Sequence, residues 1–156
     1  MTLDPPQPLS PEHLAMFHAR QTALTVLNTH RCTEQYNPVV LSGDAFGTEG
    51  IVVYLLAATT RPDEIMVGGH LRVDLSRAGT EVITVKPLSK SCLAIPLKRD
   101  HQAKSAVFTH LISSMPTEAH VFLSLLYRLP LYVGTDFGLW KIENGKILLI
   151  KQEPGK

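Results

Sequence analysis

The run Ile51-Val52-Val53-Tyr54-Leu55-Leu56-Ala57-Ala58 constrains the fold more than any other stretch. It is continuous and apolar, too short for a typical helix, and rich in β-branched residues. Such a run reads as a strand covered on both faces. The rest of the chain must supply the covers, and its turn residues show where the other elements begin and end.

A first helix should start at Ser10. Ser is a good N-cap, Pro11 suits the first helical position, and Glu12 complements the helix dipole. Met16, Phe17, Ala23, Leu24 and Leu27 form its apolar stripe, and it should end near residues 28–30. Residues 33–50 carry Asn37-Pro38, Ser42-Gly43-Asp44 and Gly47, which predict a loop with a short strand at Val39-Val40-Leu41. Arg61-Pro62-Asp63 makes a turn. Residues 65–75 then read as one long strand, with Gly68-Gly69 as a bulge or bend inside it. A three-residue loop, Arg77-Ala78-Gly79, leads into a partner strand over 80–85. That closure would place Asp74 near Val82, Arg72 near Thr84 and His70 near Lys86.

The charged window Lys98 to Lys104 predicts a solvated loop, and residues 106–112 a strand. A second helix should begin around Ser114 to Thr117, carry the stripe Val121, Phe122, Leu125, Leu126 and Leu129, and stop at Pro130. Strands follow at 131–133, 139–142 and 147–151, the last two joined by Asn144-Gly145, a strong hairpin signal. The expected class is α+β, an antiparallel sheet with two main helices packed on one face. A single domain should span 10–151, between a flexible proline-rich segment 1–9 and a tail at 152–156.

Composition excludes several functions. With 156 residues, one core is the natural count. Lys+Arg 15 against Asp+Glu 14 leaves a net charge of +1, without the basic field that nucleic-acid binding needs. No stretch approaches the roughly 20 apolar residues of a membrane span. Cys32 and Cys92 both lie in polar, looped settings, unlike free structural cysteines, which tend to be buried. A disulfide between them would close a long loop and implies an oxidising compartment, periplasmic or secreted. The four prolines in the first eleven residues fit a tether behind a removed leader. The alternative is a cytoplasmic protein with two reduced thiols. Neither cysteine has a second Cys or His at ligand spacing, so no metal site and no cofactor is expected.

Three groups could carry function. Alternation puts His70, Arg72 and Asp74 on the solvent face of one strand beside the Gly pair, where they could bind an anionic group or form an ordinary polar face. Glu118 falls on the apolar stripe of the second helix and could act as an acid or base with His110. His120 lies almost opposite that stripe, and Glu-x-His is not a zinc-hydrolase spacing. Phe46 and Phe137 sit among Gly and Asp in loops, a makeup common in protein-recognition surfaces. There is no Gly-x-Ser-x-Gly elbow, and Asp136-Phe137-Gly138 stands without other kinase motifs. The leading expectation is an exported, non-enzymatic domain that binds a protein partner, as an inhibitor or immunity protein does. A small hydrolase or ligand-binding enzyme using Glu118 and His110 is the alternative, and a cytosolic scaffold subunit the third.

Overall fold

A computed structural model describes residues 8–96 and 105–152. Most of the proline-rich segment, the charged window 98–104 and the tail past Gln152 lie outside the described residues. The elements are α1 (Pro11–Thr25), β1 (Gln35–Ser42), β2 (Ile51–Ala58), β3 (Glu64–Met66), β4 (Leu71–Leu75), β5 (Val82–Pro87), β6 (Ala94–Pro96), β7 (Ala106–Thr109), α2 (Glu118–Tyr127), β8 (Leu131–Gly134), β9 (Gly138–Glu143) and β10 (Lys146–Gln152). The expected class holds: mixed α and β with mostly antiparallel strands and two α-helices. The described residues fall into two compact units. The first takes those up to His30 with Pro38–Leu55 and Arg72–Lys86; the second takes Arg31–Asn37, Leu56–Leu71 and those from Pro87 onward.

In the first unit the sheet order is β1-β2-β4-β5. β2 is interior, and Ile51 through Ala57 are all buried, as its two apolar faces require. β1 runs much further than the three residues expected. Pro38 lies within it, which an edge strand tolerates because no ladder hydrogen bond is needed on the open side. Ser10 caps α1 by accepting from the His13 N–H at 3.2 Å, with Pro11 behind it. The buried face of α1 keeps Ala23 of the expected stripe, with Leu27 buried just beyond the helix, but adds Ala19 and leaves Phe17 half exposed. The reason is the turn at Gly79, which has φ +72° and lies so close to α1 that an added Cβ would come within 2.9 Å of the Ala19 Cβ. Only small side chains allow that approach. The Ser76 N–H donates to the Glu81 carbonyl at 2.9 Å, so the β4–β5 turn closes one residue later than expected.

The Gly68-Gly69 pair is not a bulge inside one strand. β3 pairs with β6 in a two-stranded ladder, while β4 belongs to the other sheet, so the chain changes sheets at the glycines. Gly69 has φ +84°, which favours glycine, and the Cys32 side chain fills the space a Cβ would need. Cys32 and Cys92 form a disulfide with Cα atoms 5.4 Å apart.

The second unit carries the sheet β10-β9-β8-β7. β8, β9 and β10 are an antiparallel meander, and Asn144 and Gly145 both take positive φ in its last turn. β7 and β8 are parallel, an exception to the expected antiparallel pattern. Parallel neighbours need a crossover, and α2 supplies it. Ile65, Val67, Ala106, Leu123, Leu131, Val133, Trp140 and Ile142 form the core of this unit. On α2 the buried residues are Ala119, His120, Leu123 and Ser124, while Leu125 and Leu126 are exposed. The expected stripe is rotated because this helix is apolar nearly all round, so hydrophobicity alone does not choose its inner face.

The disulfide closes a loop of sequence separation 60. Replacing both cysteines, Cys32→Ser with Cys92→Ser, should lower stability by roughly 4 kcal/mol through lost constraint on the unfolded chain. Denaturant unfolding of the two proteins measures this, and a loss below about 1 kcal/mol contradicts it.

Candidate functional site

The expected row His70, Arg72 and Asp74 does not exist as a surface. His70 precedes β4 and is buried, so it shares no face with the other two. Its Nδ1 accepts from the Ala57 N–H at 3.0 Å, and its Nε2–H donates to the Met66 carbonyl at 3.1 Å. This pattern assigns one neutral tautomer. Burial pushes the imidazole down to about 4, only partly countered by the Met66 bond. His70 is therefore a structural strut of the second unit.

Arg72 and Asp74 do share a face of β4 in the first unit, and they are turned toward each other. Arg72 Nε donates to Asp74 Oδ1 at 2.8 Å, while Lys86 Nζ lies 3.1 Å from Asp74 Oδ2. Thr84 donates to the same oxygen. Burial alone would raise the Asp74 carboxyl, but the Arg72 and Lys86 bonds outweigh it and hold the group below its ordinary range. Phe46, at the end of a short helical turn, lies under the Arg72 guanidinium at 4.8 Å and beside Tyr54. Arg72, Asp74, Lys86, Thr84 and Phe46, the groups a partner would engage here, thus engage one another.

The second unit holds a cavity of about 310 Å³. Val67, Leu93, Phe108 and Leu111 give it apolar walls, and His110, His120 and Lys90 give it polar groups. β7 leads directly into His110. The first turn of α2 turns His120 inward, because its Nδ1 accepts the Thr117 N–H at 2.8 Å in a capping box. The His120 ring stacks on Phe108 at 5.4 Å and meets His110 edge-on at 4.8 Å. Glu118, the expected partner of His110, is exposed at the start of α2; the ring that faces His110 is His120. The spacing of the two histidines gave no hint of this, because they meet only through the parallel β7–β8 crossover.

Both imidazoles are neutral. Ser113 Oγ donates to the Met115 carbonyl at 2.6 Å, so it accepts from His110 Nε2 at 2.7 Å. That leaves His110 Nδ1 as an acceptor and His120 Nε2–H as a donor. Neither has a hydrogen-bond partner among the described residues, and no buried side-chain nitrogen or oxygen there is left unpaired, so both reach the open space of the cavity. Burial, with the neighbouring His110 and His70, pushes His120 down to about 3, and burial also lowers His110. Among the described residues no group of three or more metal-ligating side chains occurs.

The last feature is an apolar edge. Phe137, between β8 and β9, stacks on Trp140 at 5.9 Å. Trp140 pairs with Leu149 across the β9–β10 ladder, so the two side chains lie on the same face. Phe137 is 41% exposed, Leu148 51%, Leu149 41% and Ile150 53%. The register shifts between Leu149 and Lys151, leaving Ile150 as an extra residue in the edge strand. No protein family, curated protein or solved structure matches the chain.

The neutral histidines make stability depend on acid. An unfolded histidine takes a proton near pH 6.5, while folded His70 and His120 do so only near 4 and 3. Their contribution is full above pH 6.5 and is lost as pH falls toward those values, at about 1.4 kcal/mol per pH unit for each ring. Imidazole NMR should show both rings still neutral at pH 5. Titration of either near 6.5 in the folded protein contradicts the geometry.

Proposed function

We propose that this protein is an exported, non-enzymatic domain that binds a protein partner, of the inhibitor or immunity kind. The observation that carries this reading is the β10 edge. This strand lies at the edge of its sheet and exposes Leu148, Leu149 and Ile150 in succession, with Phe137 stacked on Trp140, the cross-strand partner of Leu149. The flanking Lys146 and Lys151 are exposed and basic. Together they suit an extended partner segment with apolar side chains and acidic ends, added alongside β10. The disulfide supports an oxidising compartment, where such bonds persist. The contact set thus moves from Arg72, Asp74 and Phe46, which are occupied with each other, to Phe137 and β10.

Selection of displayed peptides on the oxidised protein tests this. The expected winners have alternating apolar residues with acidic flanks and slow amide exchange along Lys146–Gln152. Leu149→Asp should weaken them at least tenfold, about 1.4 kcal/mol. Absence of enriched extended peptides, or equal binding by Leu149→Asp, sinks the reading. The compartment is checked separately: peptide mass spectrometry of protein from its native source should recover the Cys32–Cys92 cross-link without reduction.

A further inference from the structure

We propose that the His110–His120 cavity binds a small monocarboxylate that carries a hydroxyl group on an apolar body. The cavity, about 310 Å³, lies at the small end of ligand pockets and has their usual makeup, apolar walls with a few converging polar groups. His120 is almost fully buried, yet its Nε2–H has no protein acceptor among the described residues. That N–H is accessible from the cavity, so the acceptor of a bound ligand can take the place of water there. A carboxylate oxygen supplies that acceptor.

The second nitrogen narrows the class. His110 Nδ1 is an acceptor, because its other nitrogen is bound to Ser113. It repels a second carboxylate oxygen and takes a hydroxyl hydrogen. Charge fixes the sign of the ligand. Among the described lining residues Lys90 is the one charged side chain, and none of them is a carboxylate. A cation would find no counter-charge, and a dianion would exceed the single ammonium. Phe108, Val67, Leu93 and Leu111 then receive a body that is apolar and compact. Phe108 is already stacked on His120, so an aromatic or short aliphatic body extends an existing apolar surface.

The inference does not depend on the β10 reading, since it uses none of the same side chains. The test uses the intact oxidised protein, with 4-hydroxybenzoate as probe and benzoate and 4-hydroxybenzamide as controls. Imidazole NMR and calorimetry follow binding. The expected result is saturable shifts of the His110 and His120 resonances, with affinity in the millimolar range or tighter. Benzoate, lacking the hydroxyl, should bind at least fivefold more weakly. Lys90→Ala, at the exposed rim, should weaken 4-hydroxybenzoate at least fivefold and leave 4-hydroxybenzamide unchanged. No saturable shift with any probe overturns the proposal, as does binding of 4-hydroxybenzoate that is indifferent to Lys90→Ala.

Discussion

The buried imidazole of His70 is the interaction on which its surroundings depend. It links the last turn of β2, through the Ala57 N–H, to the end of β3, through the Met66 carbonyl. The same residue's carbonyl accepts the Leu88 N–H. One residue earlier, the Gly69 carbonyl accepts from the Tyr36 hydroxyl, which in turn accepts the Cys32 N–H. The disulfide, the positive φ at Gly69 and the His70 strut therefore fix one short stretch from several sides. Two backbone groups, the Ala57 N–H and the Met66 carbonyl, would lose their partners if this ring left its place, and each buried loss costs on the order of 1–3 kcal/mol.

What the sequence made legible was its punctuation. Ser10-Pro11, Asn144-Gly145 and the apolar run at Ile51 each act locally, and each appears where expected. What it hid was orientation. In α1 the small residues Ala19 and Ala23 face inward while Phe17 stays half exposed, and in α2 Ala119, His120 and Ser124 join Leu123 on the buried face while Leu125 and Leu126 stay exposed. Close approach of the Gly79 turn selected the face of α1, and periodicity weighs size in the opposite direction. His70 was hidden for a related reason. Alternation across Gly68-Gly69 predicts one continuous strand, whereas the glycines mark the change of sheet.

The candidate surfaces divide by how far their groups are already satisfied. Arg72, Asp74, Lys86 and Thr84 form a closed polar set with Phe46 under the guanidinium. A rim of that kind gives a partner little, because every new contact must replace an existing one. The second unit is different. Its apolar edge and its paired histidines carry surface and hydrogen-bonding capacity that the described chain does not use. Disulfide, edge and cavity were each partly visible as residue types, and the pairing of His110 with His120 became visible only in three dimensions.

The parallel β7–β8 pair has a consequence for the order in which the second unit assembles. β8, β9 and β10 are joined by short turns, so their pairing asks little of loop closure. β7 reaches its partner only across the whole of α2, and α2 has 10 residues, too few to be stable alone in water. The helix gains its stability by docking on β9, and β7 can add its parallel ladder only after that. Loop-closure entropy therefore favours pairing the β8–β10 meander before the β7–β8 ladder that leads into His110.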